Sequence, residues 1–306
     1  MHYKIRQITM NEQHKKLSFA IFGNEYQAHK SSAIQKVLSV LKEKEADIYI
    51  DATFHEFMTT NEHLPVEATG VFHGNDFTAD YVISMGGDGT FLKAASRVGS
   101  REIPIIGINM GRLGFLADIL PSEAESMLEA VYEDNYQIEE HAAIQITTDG
   151  EEINECPFAL NDIAVLKRDN ASMISIRTTI NEDYLVTYQA DGLIVSTPTG
   201  STAYSLSNGG PVMVPQSGNL CLTAVAPHSL NIRPIVIGDD AVVKLTVESR
   251  SHNYLVAIDG RSVKLNESTS ITISKAPFMV KIVKRSGQRY FATLREKMMW
   301  GMDQRG

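Results

Sequence analysis

Apolar and polar positions follow two different patterns along the chain, and the change falls near residue 136. Before it, short apolar runs such as 81–84 alternate with stretches in which apolar residues recur every three or four positions, as at Ile34, Val37 and Leu41. The runs predict buried strands and the spaced residues predict amphipathic helices. Strands alternating with helices favour a mostly parallel, Rossmann-like sheet with helices on its faces, an α/β domain.

From about residue 137 the apolar positions recur at every second residue, which predicts strands. Val243, Leu245 and Val247 alternate with polar partners, and Asp259-Gly260 is typical of a type I′ hairpin turn between two strands. The second half is therefore predicted to be a β-rich, sandwich-like domain. We expect three parts: an α/β domain over 1–136, a β-rich domain over 137–285, and a helical C-terminal segment over 286–306 that returns to the first domain.

Composition limits the classes of protein to consider. The 306 residues suit about two domains, 43% of them are hydrophobic, and the net charge of −9 argues against a broad nucleic-acid-binding surface. No apolar stretch is long enough for a transmembrane helix, and residues 1–7 lack the apolar centre of a secretion signal. Cys156 and Cys221 lack metal-binding spacing, so we expect both to be reduced and buried. These features together predict a cytoplasmic protein without a membrane partner.

The first candidate site is the segment Gly86-Gly87-Asp88-Gly89-Thr90, which lies between a predicted strand and a predicted helix. Glycine backbones allow close approach of an anion, and the free N–H groups of a helix N-terminus stabilise negative charge. A carboxylate repels phosphate, so Asp88 suggests a different role, that of accepting a proton from a hydroxyl that attacks a phosphoryl group. The alternative is a plain β-turn with an acidic helix cap.

The second candidate site is the hydroxyl-rich turn that follows the predicted strand 192–195. It offers backbone N–H groups, several hydroxyls and the ring of Tyr204, a set that suits a nucleoside. By composition alone, a capped turn rich in Ser and Thr explains it equally well, with Ser201 or Thr202 capping the helix that follows. A smaller polar signal, Asn161-Asp162, stands at the entry of another predicted strand.

Together these segments resemble the NAD kinase family. The matching elements are 86–90, the stretch 109–116 (Asn-Met-Gly-Arg-Leu-Gly-Phe-Leu), Asn161-Asp162 and the segment 191–211, in the family's order and spacing. The resemblance extends over residues 17 to 301. The first element is shared with phosphofructokinases and with diacylglycerol and sphingosine kinases, so it indicates only phosphoryl transfer. The segment 191–211 is far more specific.

The resemblance implies transfer of the γ-phosphoryl group of ATP to the 2′-hydroxyl of the adenosine ribose of NAD, which yields NADP. Asp88 would be the general base, and Mg²⁺ would enter with the triphosphate rather than in a dedicated metal site. A homodimer or homotetramer is also implied. The implied phosphate-binding residues are Gly86, Gly87, Gly89 and Thr90. The implied NAD-binding residues are Asp88, Gly89, Lys93, Asn161, Asp162, Asp191, Thr202, Ala203, Tyr204, Ser205, Leu206 and Ser207.

Within that set, Asn161 and Asp162 would bind a ribose or base, and Asp191 the nicotinamide-side ribose or amide. Lys93 would reach a phosphate, although a solvated helix lysine is an equally good interpretation. Asp259 and Arg261 lie in a hairpin that would approach the same cleft, and here we favour a plain type I′ turn.

Three positions leave the substrate range open. Asp162 stands where many relatives carry Glu, which shortens the reach of the carboxylate. Gln189 stands where the family varies between Gly and Arg, a position that bears on acceptance of NADH. Thr90 resembles relatives that also use inorganic polyphosphate as donor.

Two other classes of function compete with an NAD kinase. A lipid or sugar kinase shares the glycine–aspartate loop, but a lipid kinase needs a membrane-facing apolar feature, which we do not find, and a sugar kinase does not need a nucleoside turn. A non-catalytic NAD(P)-binding regulator would be expected to lack Asp88, which is present.

Overall fold

The structure, a computed structural model, describes residues 15–24, 31–111, 114–168, 172–287 and 290–301. Residues 1–7, and Arg112 and Leu113 of the stretch 109–116, lie outside the described residues. The helices are α1 (Ser31–Glu43), α2 (Ala52–Glu56), α3 (Asp88–Val98), α4 (Ala124–Tyr132), α5 (Tyr204–Ser207) and α6 (Tyr290–Met298). The strands are β1 (Ser18–Gly23), β2 (Asp47–Asp51), β3 (Gly70–Phe72), β4 (Tyr81–Gly86), β5 (Ile105–Asn109), β6 (Tyr136–Asp149), β7 (Phe158–Ala159), β8 (Asp162–Leu166), β9 (Ile174–Ile180), β10 (Asp183–Ala190), β11 (Gly192–Ser196), β12 (Asn219–Val225), β13 (Ile235–Gly238), β14 (Val243–Glu248), β15 (Asn253–Ile258), β16 (Arg261–Asn266) and β17 (Ser270–Arg285).

The first half forms the predicted parallel sheet, in the strand order β3-β2-β1-β4-β5. Every residue of β4 and β5 is buried, as expected for strands covered by helices on both faces. The predicted helix before β2 is α1, which buries Ile34, Val37 and Leu41 against this sheet. The Rossmann-like α/β prediction is confirmed.

The two halves share one sheet, which the sequence did not predict. Strand β17 pairs in parallel with β5 through Ile282 and Ile105, and it pairs antiparallel with β6 and β14. The long strands β6 and β17 therefore extend the parallel sheet into the second half, giving the order β10-β9-β14-β17-β5-β4-β1-β2-β3. This continuity places the end of β4 close to the β-rich half.

The second half is the predicted β sandwich. A second, antiparallel sheet has the order β13-β12-β11-β8-β15-β16, and its apolar face packs against that of β9, β14 and β17. Leu245 from one sheet and Val195 and Tyr254 from the other are fully buried in this core. The period-two pattern of β14 is confirmed, because alternate residues are buried and exposed.

Three local predictions meet different outcomes. Asp259 and Gly260 have φ of 47° and 80°, and positive values at both positions fit the predicted type I′ turn. Both cysteines are free thiols; Cys221 is buried as expected, but the expectation was wrong for Cys156, which is half-buried. No described helix combines the length and the apolar character needed to cross a membrane.

The predicted helix cap at Ser201 or Thr202 was wrong. The chain forms a 3-10 turn over Thr199–Thr202 and then the single-turn helix α5, with Ala203 at its N-cap position and no capping side chain. Ser201 is buried instead: its hydroxyl donates to the carbonyl of Pro198 at 2.6 Å and accepts from the N–H of Met213 at 2.9 Å. Its neighbours in space, not its position in the turn, determine its hydrogen bonds.

Candidate functional site

The glycine loop joins β4 directly to α3. Gly87 is the N-cap residue and Asp88 is the first residue of the helix. A methyl group on Gly86 would lie 2.1 Å from the hydroxyl oxygen of Thr90, whereas one on Gly87 or Gly89 would meet no atom within 4 Å. The Thr90 side chain therefore packs against Gly86 inside the loop. Gly87 and Gly89 border open space at the carboxyl end of β4.

The Asp88 carboxylate is held by the backbone of the segment 114–117. Its Oδ2 accepts the N–H of Phe115 at 2.8 Å, and its Oδ1 accepts those of Leu116 and Ala117, each at 3.0 Å. A methyl group on Gly114 would lie 1.9 Å from Oδ1, so glycine is required there. A carboxylate offers about four acceptor positions, so Oδ2 keeps one direction for a further donor.

Asp259 makes the same kind of contact in the second half. Its carboxylate accepts the N–H groups of Leu160, Asn161 and Asp162 at 2.7, 2.8 and 3.1 Å. Burial raises the pKa of Asp259, and these three hydrogen bonds oppose that rise. Sequence reasoning found the type I′ turn but missed this role, because the donors are backbone groups almost a hundred residues away.

Asp259 also affects the pKa of Asp162, which is buried beside it. Burial, and then the negative charge of Asp259, raise the pKa of Asp162 to about 7. The folded protein therefore holds a proton on this carboxyl over a pH range in which the unfolded chain has released it.

We expect the free energy of unfolding of Asp162→Asn, relative to that of wild type, to increase as pH rises. The folded-state pKa lies above the unfolded value of 3.8, so the penalty for ionising Asp162 is absent below pH 3.8 and complete above about pH 7. Urea unfolding should measure this difference at pH 5 and at pH 8. The free energy of unfolding of the variant, relative to wild type, should be more than about 1 kcal/mol higher at pH 8 than at pH 5. The exposed Asp76→Asn is the control, and an equal pH dependence in both variants would contradict the assignment.

The hydroxyl-rich turn packs against Asn161. Thr197 donates its N–H to the carbonyl of Asn161 at 2.9 Å and its hydroxyl to the carbonyl of Leu160 at 2.5 Å. Gly200 lies so close that an added methyl group would come within 2.0 Å of the Asn161 carbonyl oxygen. The fold thus brings together two segments that the sequence marked separately.

Residues of this turn differ in exposure. Thr202, Ala203 and Leu206 are half-buried, while Tyr204 and Ser207 are exposed, so their side chains border solvent. Ser205 is fully buried, and its hydroxyl lies 2.9 Å from that of Thr223.

Asp191 lies away from Asn161. Strand β11 runs antiparallel to β8, with Gly192 opposite Leu166 and Ser196 opposite Asp162, so Asp191 is at the other end of the strand pair. At the rise of a β-strand this separates it from Asp162 by about 16 Å. Its carboxylate forms an ion pair with Lys167 at 2.7 Å.

Lys93 borders a cleft between the halves, which also includes Gly89, Asp259 and Arg261 and has a volume of about 430 Å³. The ammonium group lies 3.6 Å from the carboxylate of Asp51, a buried residue that also caps α2. Lys93 therefore borders this cleft beside Gly89, within ion-pair distance of a buried carboxylate.

A second space, here called the central cavity, lies between Phe115, the turn 198–202 and α6. It contains charged groups that sequence reasoning missed. Lys284 and Asp118 form an ion pair at 2.5 Å with side chains only 8% and 5% exposed. His141 contacts the Thr199 hydroxyl at 2.8 Å and the Glu139 carboxylate at 3.3 Å. Glu139 and His141 are both on β6 and two residues apart, which is the one signal that they share a face.

No group of three or more His, Cys, Asp or Glu side chains among the described residues is arranged to hold a metal ion.

Comparison with known proteins agrees with this arrangement. The family described as the ATP-NAD kinase N-terminal domain matches residues 7–136, and the ATP-NAD kinase C-terminal domain matches residues 160–285. An NAD kinase of Bacteroides fragilis is 56% identical over 289 residues, which cover 94% of this chain and all of that protein. An NAD kinase of Porphyromonas gingivalis is 41% identical, over 92% of this chain and 97% of that protein.

Solved structures show the same fold. A yeast NADH kinase complexed with NADH superposes with a TM-score of 0.84 at 21% identity, over 95% of this chain and 90% of that chain. An Archaeoglobus fulgidus NAD kinase in complex with ATP superposes with a TM-score of 0.71 at 27% identity, over 92% and 98% of the two chains. With the two domain matches and relatives at this level of identity over nearly the whole length, the chain belongs to the NAD kinase family.

Proposed function

We propose that this protein transfers the γ-phosphoryl group of ATP to the 2′-hydroxyl of the adenosine ribose of NAD, with Asp88 as the general base. One observation carries the role of Asp88. Three backbone N–H groups hold its carboxylate at the end of β4, and Oδ2, which accepts only one of them, can accept a further donor. A base must reach the proton it accepts and must be held still, and this arrangement meets both requirements.

The remaining roles follow from where each residue lies. The glycine loop Gly86–Thr90 would admit the phosphates, with Lys93 as a nearby cation. Asn161 and Asp162 would bind the adenosine ribose or base, and the turn Thr202–Ser207 would line the nucleoside pocket, with the exposed ring of Tyr204 against a base. The contacts between Thr197, Gly200 and Asn161 support this, because they join the two segments into one surface.

Ser205 and Asp191 differ from the other residues of this set. The hydroxyl of Ser205 is engaged by Thr223, so we propose that it supports the turn from below while its backbone borders the ligand. We propose that Asp191 binds the nicotinamide-side ribose or amide, which requires the nicotinamide end of NAD to lie well away from Asn161.

We further propose that Mg²⁺ enters bound to the triphosphate, as part of the donor substrate. This cation prefers phosphate oxygens and keeps several of its waters. The protein would act in the cytoplasm as a homodimer or homotetramer, built from the domains 1–136 and 137–285 with the segment 286–306 returning to the first. Light scattering tests the subunit number, and parallel assays with NADH or inorganic polyphosphate test the substrate range.

The direct test is formation of NADP. Purified protein is incubated with ATP, Mg²⁺ and NAD, and the product is detected with an NADP-specific dehydrogenase. We expect NADP to accumulate with time and with enzyme concentration. No NADP above a boiled control would overturn the proposal.

A further inference from the structure

A half-buried lysine on α6, Lys297, ends in an ammonium group whose hydrogen-bonding capacity the described residues do not use. The Nζ of Lys297 is shielded from solvent and has no hydrogen-bond partner among those residues. It lies 4.5 Å from the centre of the Phe115 ring. An ammonium group has three N–H donors, and leaving them unpaired away from water is costly. Such a group is well placed to receive an anion.

The charges around Lys297 come from both halves of the protein. Burial lowers its pKa to about 8; the carboxylates of Asp88, Asp118 and Glu296 raise it, and the ammonium of Lys284 lowers it. At neutral pH the amine therefore still carries its proton. Lys284 is already paired with Asp118 at 2.5 Å, whereas the Nζ of Lys297 has no hydrogen-bond partner among the described residues.

Phe115 links Lys297 to the proposed base. The backbone N–H of Phe115 is bonded to Oδ2 of Asp88, and the ring of the same residue packs against the Lys297 ammonium. Phe115 also lines the central cavity, together with Thr199, Thr202 and Tyr290. The ammonium and the base therefore both contact Phe115, a residue that lines this cavity.

We propose that the Lys297 ammonium binds the transferring phosphoryl group of the triphosphate donor, opposite Asp88; this rests on the proposed kinase function. In the step, the 2′-hydroxyl gives its proton to Asp88, its oxygen forms the new bond to the γ-phosphorus, and the bond from that phosphorus to the bridging oxygen breaks. The electron pair leaves on the nucleoside diphosphate. Lys297 keeps its proton throughout and stabilises the charge on the non-bridging oxygens.

The physical reason for this assignment is that phosphoryl transfer depends on positioning and charge stabilisation. A cation in a site shielded from water stabilises developing negative charge more than one in solvent. Gly89 and Lys93 line the cleft with Asp259, whereas Lys297 contacts Phe115, which lines the central cavity and donates its backbone N–H to Asp88.

The test compares Lys297→Met, Lys297→Arg and the control Arg295→Met, which removes an exposed charge from the same helix. Met retains the contact with the Phe115 ring but removes the charge. We expect Lys297→Met to bind NAD within about twofold of wild type, by calorimetry without donor. Its kcat/KM for ATP should fall by about 10²–10³-fold, the usual loss for one such donor. Lys297→Arg should recover at least tenfold of this loss, and Arg295→Met should match wild type.

A pH profile separates a charge role from a structural one. In wild type, kcat/KM for ATP should fall as pH rises through about 8, because the Lys297 ammonium loses its proton there. In Lys297→Arg this fall should be absent, since a guanidinium stays protonated. The profile needs only wild type and the Arg variant, so it decides the matter even if the Met variant does not fold.

Three outcomes overturn this inference. They are a Lys297→Met variant within threefold of Arg295→Met in kcat/KM for ATP, a Met variant that loses NAD binding as much as ATP use, and an Arg variant that keeps the alkaline fall. If wild type itself forms no NADP, the proposed function fails first; if wild type is active and one of these outcomes appears, only the role of Lys297 fails.

Discussion

Replacing Asp88 by Asn should lower turnover by about 10²-fold or more while NAD binding stays measurable, because the amide cannot accept the proton of the attacking hydroxyl. The amide oxygen can still accept N–H groups of Leu116 and Ala117, but the amide nitrogen would face the N–H of Phe115, so one of three hydrogen bonds is lost. Steady-state kinetics at saturating NAD and ATP measure the turnover, and calorimetry measures NAD binding.

Asp259→Asn is the matched control for this substitution. Asp259 also accepts three consecutive backbone N–H groups, so its replacement loses the same kind of hydrogen bond without removing a proposed base. Its effects on thermal stability and turnover measure the structural share of the loss. Near-normal turnover in Asp88→Asn, or equal losses of turnover in the two variants, would show that Asp88 is not the base.

Replacing Lys284 by Met should lower the free energy of unfolding by about 3–5 kcal/mol, the usual cost of breaking a buried ion pair by removing one of its members. The Asp118 carboxylate is 5% exposed and lies 2.5 Å from Lys284 Nζ, between β17 and the segment that follows β5. Urea unfolding monitored by circular dichroism measures the change.

Lys36→Met is the control, because Lys36 pairs with Glu125 at a similar distance of 2.9 Å but both side chains are about half exposed. A surface pair of this kind contributes about 0–1 kcal/mol. Replacing Asp118 together with Lys284 by apolar residues should restore much of the stability, since both charges of the buried pair are then removed. Equal losses in Lys284→Met and Lys36→Met would mean that burial does not determine the strength of the Lys284 pair.

Local features were predictable from sequence because their causes are local. The spacing of Ile34, Val37 and Leu41 follows the helical repeat, and the alternation in β14 follows the strand repeat, so both elements are found where expected. Glycine signals correctly marked the loop before α3 and the turn at Asp259-Gly260. The cap at Ser201 was wrong because a buried hydroxyl bonds to whichever backbone groups surround it.

Partners distant along the chain were not predictable. The groups that hold Asp88 and Asp259 are backbone N–H groups, which every residue except proline carries, so no residue pattern identifies them. The pairing of β17 with β5 also could not be predicted from the sequence, because β5 belongs to the first half of the chain and β17 to the second. For the same reason the separation of Asp191 from Asn161 depends on the register of β11 against β8.

The sequence by itself determined the order of the elements, the chemical groups available and the family that they resemble, because periodicity, glycine loops and motif spacing are properties of neighbouring residues. Only the tertiary structure decided how those groups act. It selected the three N–H groups that hold Asp88, raised the pKa of Asp162 by burying it beside Asp259, and shielded Lys297 against Phe115. Desolvation and hydrogen bonding depend on which distant segments meet, and that is a property of the folded chain alone.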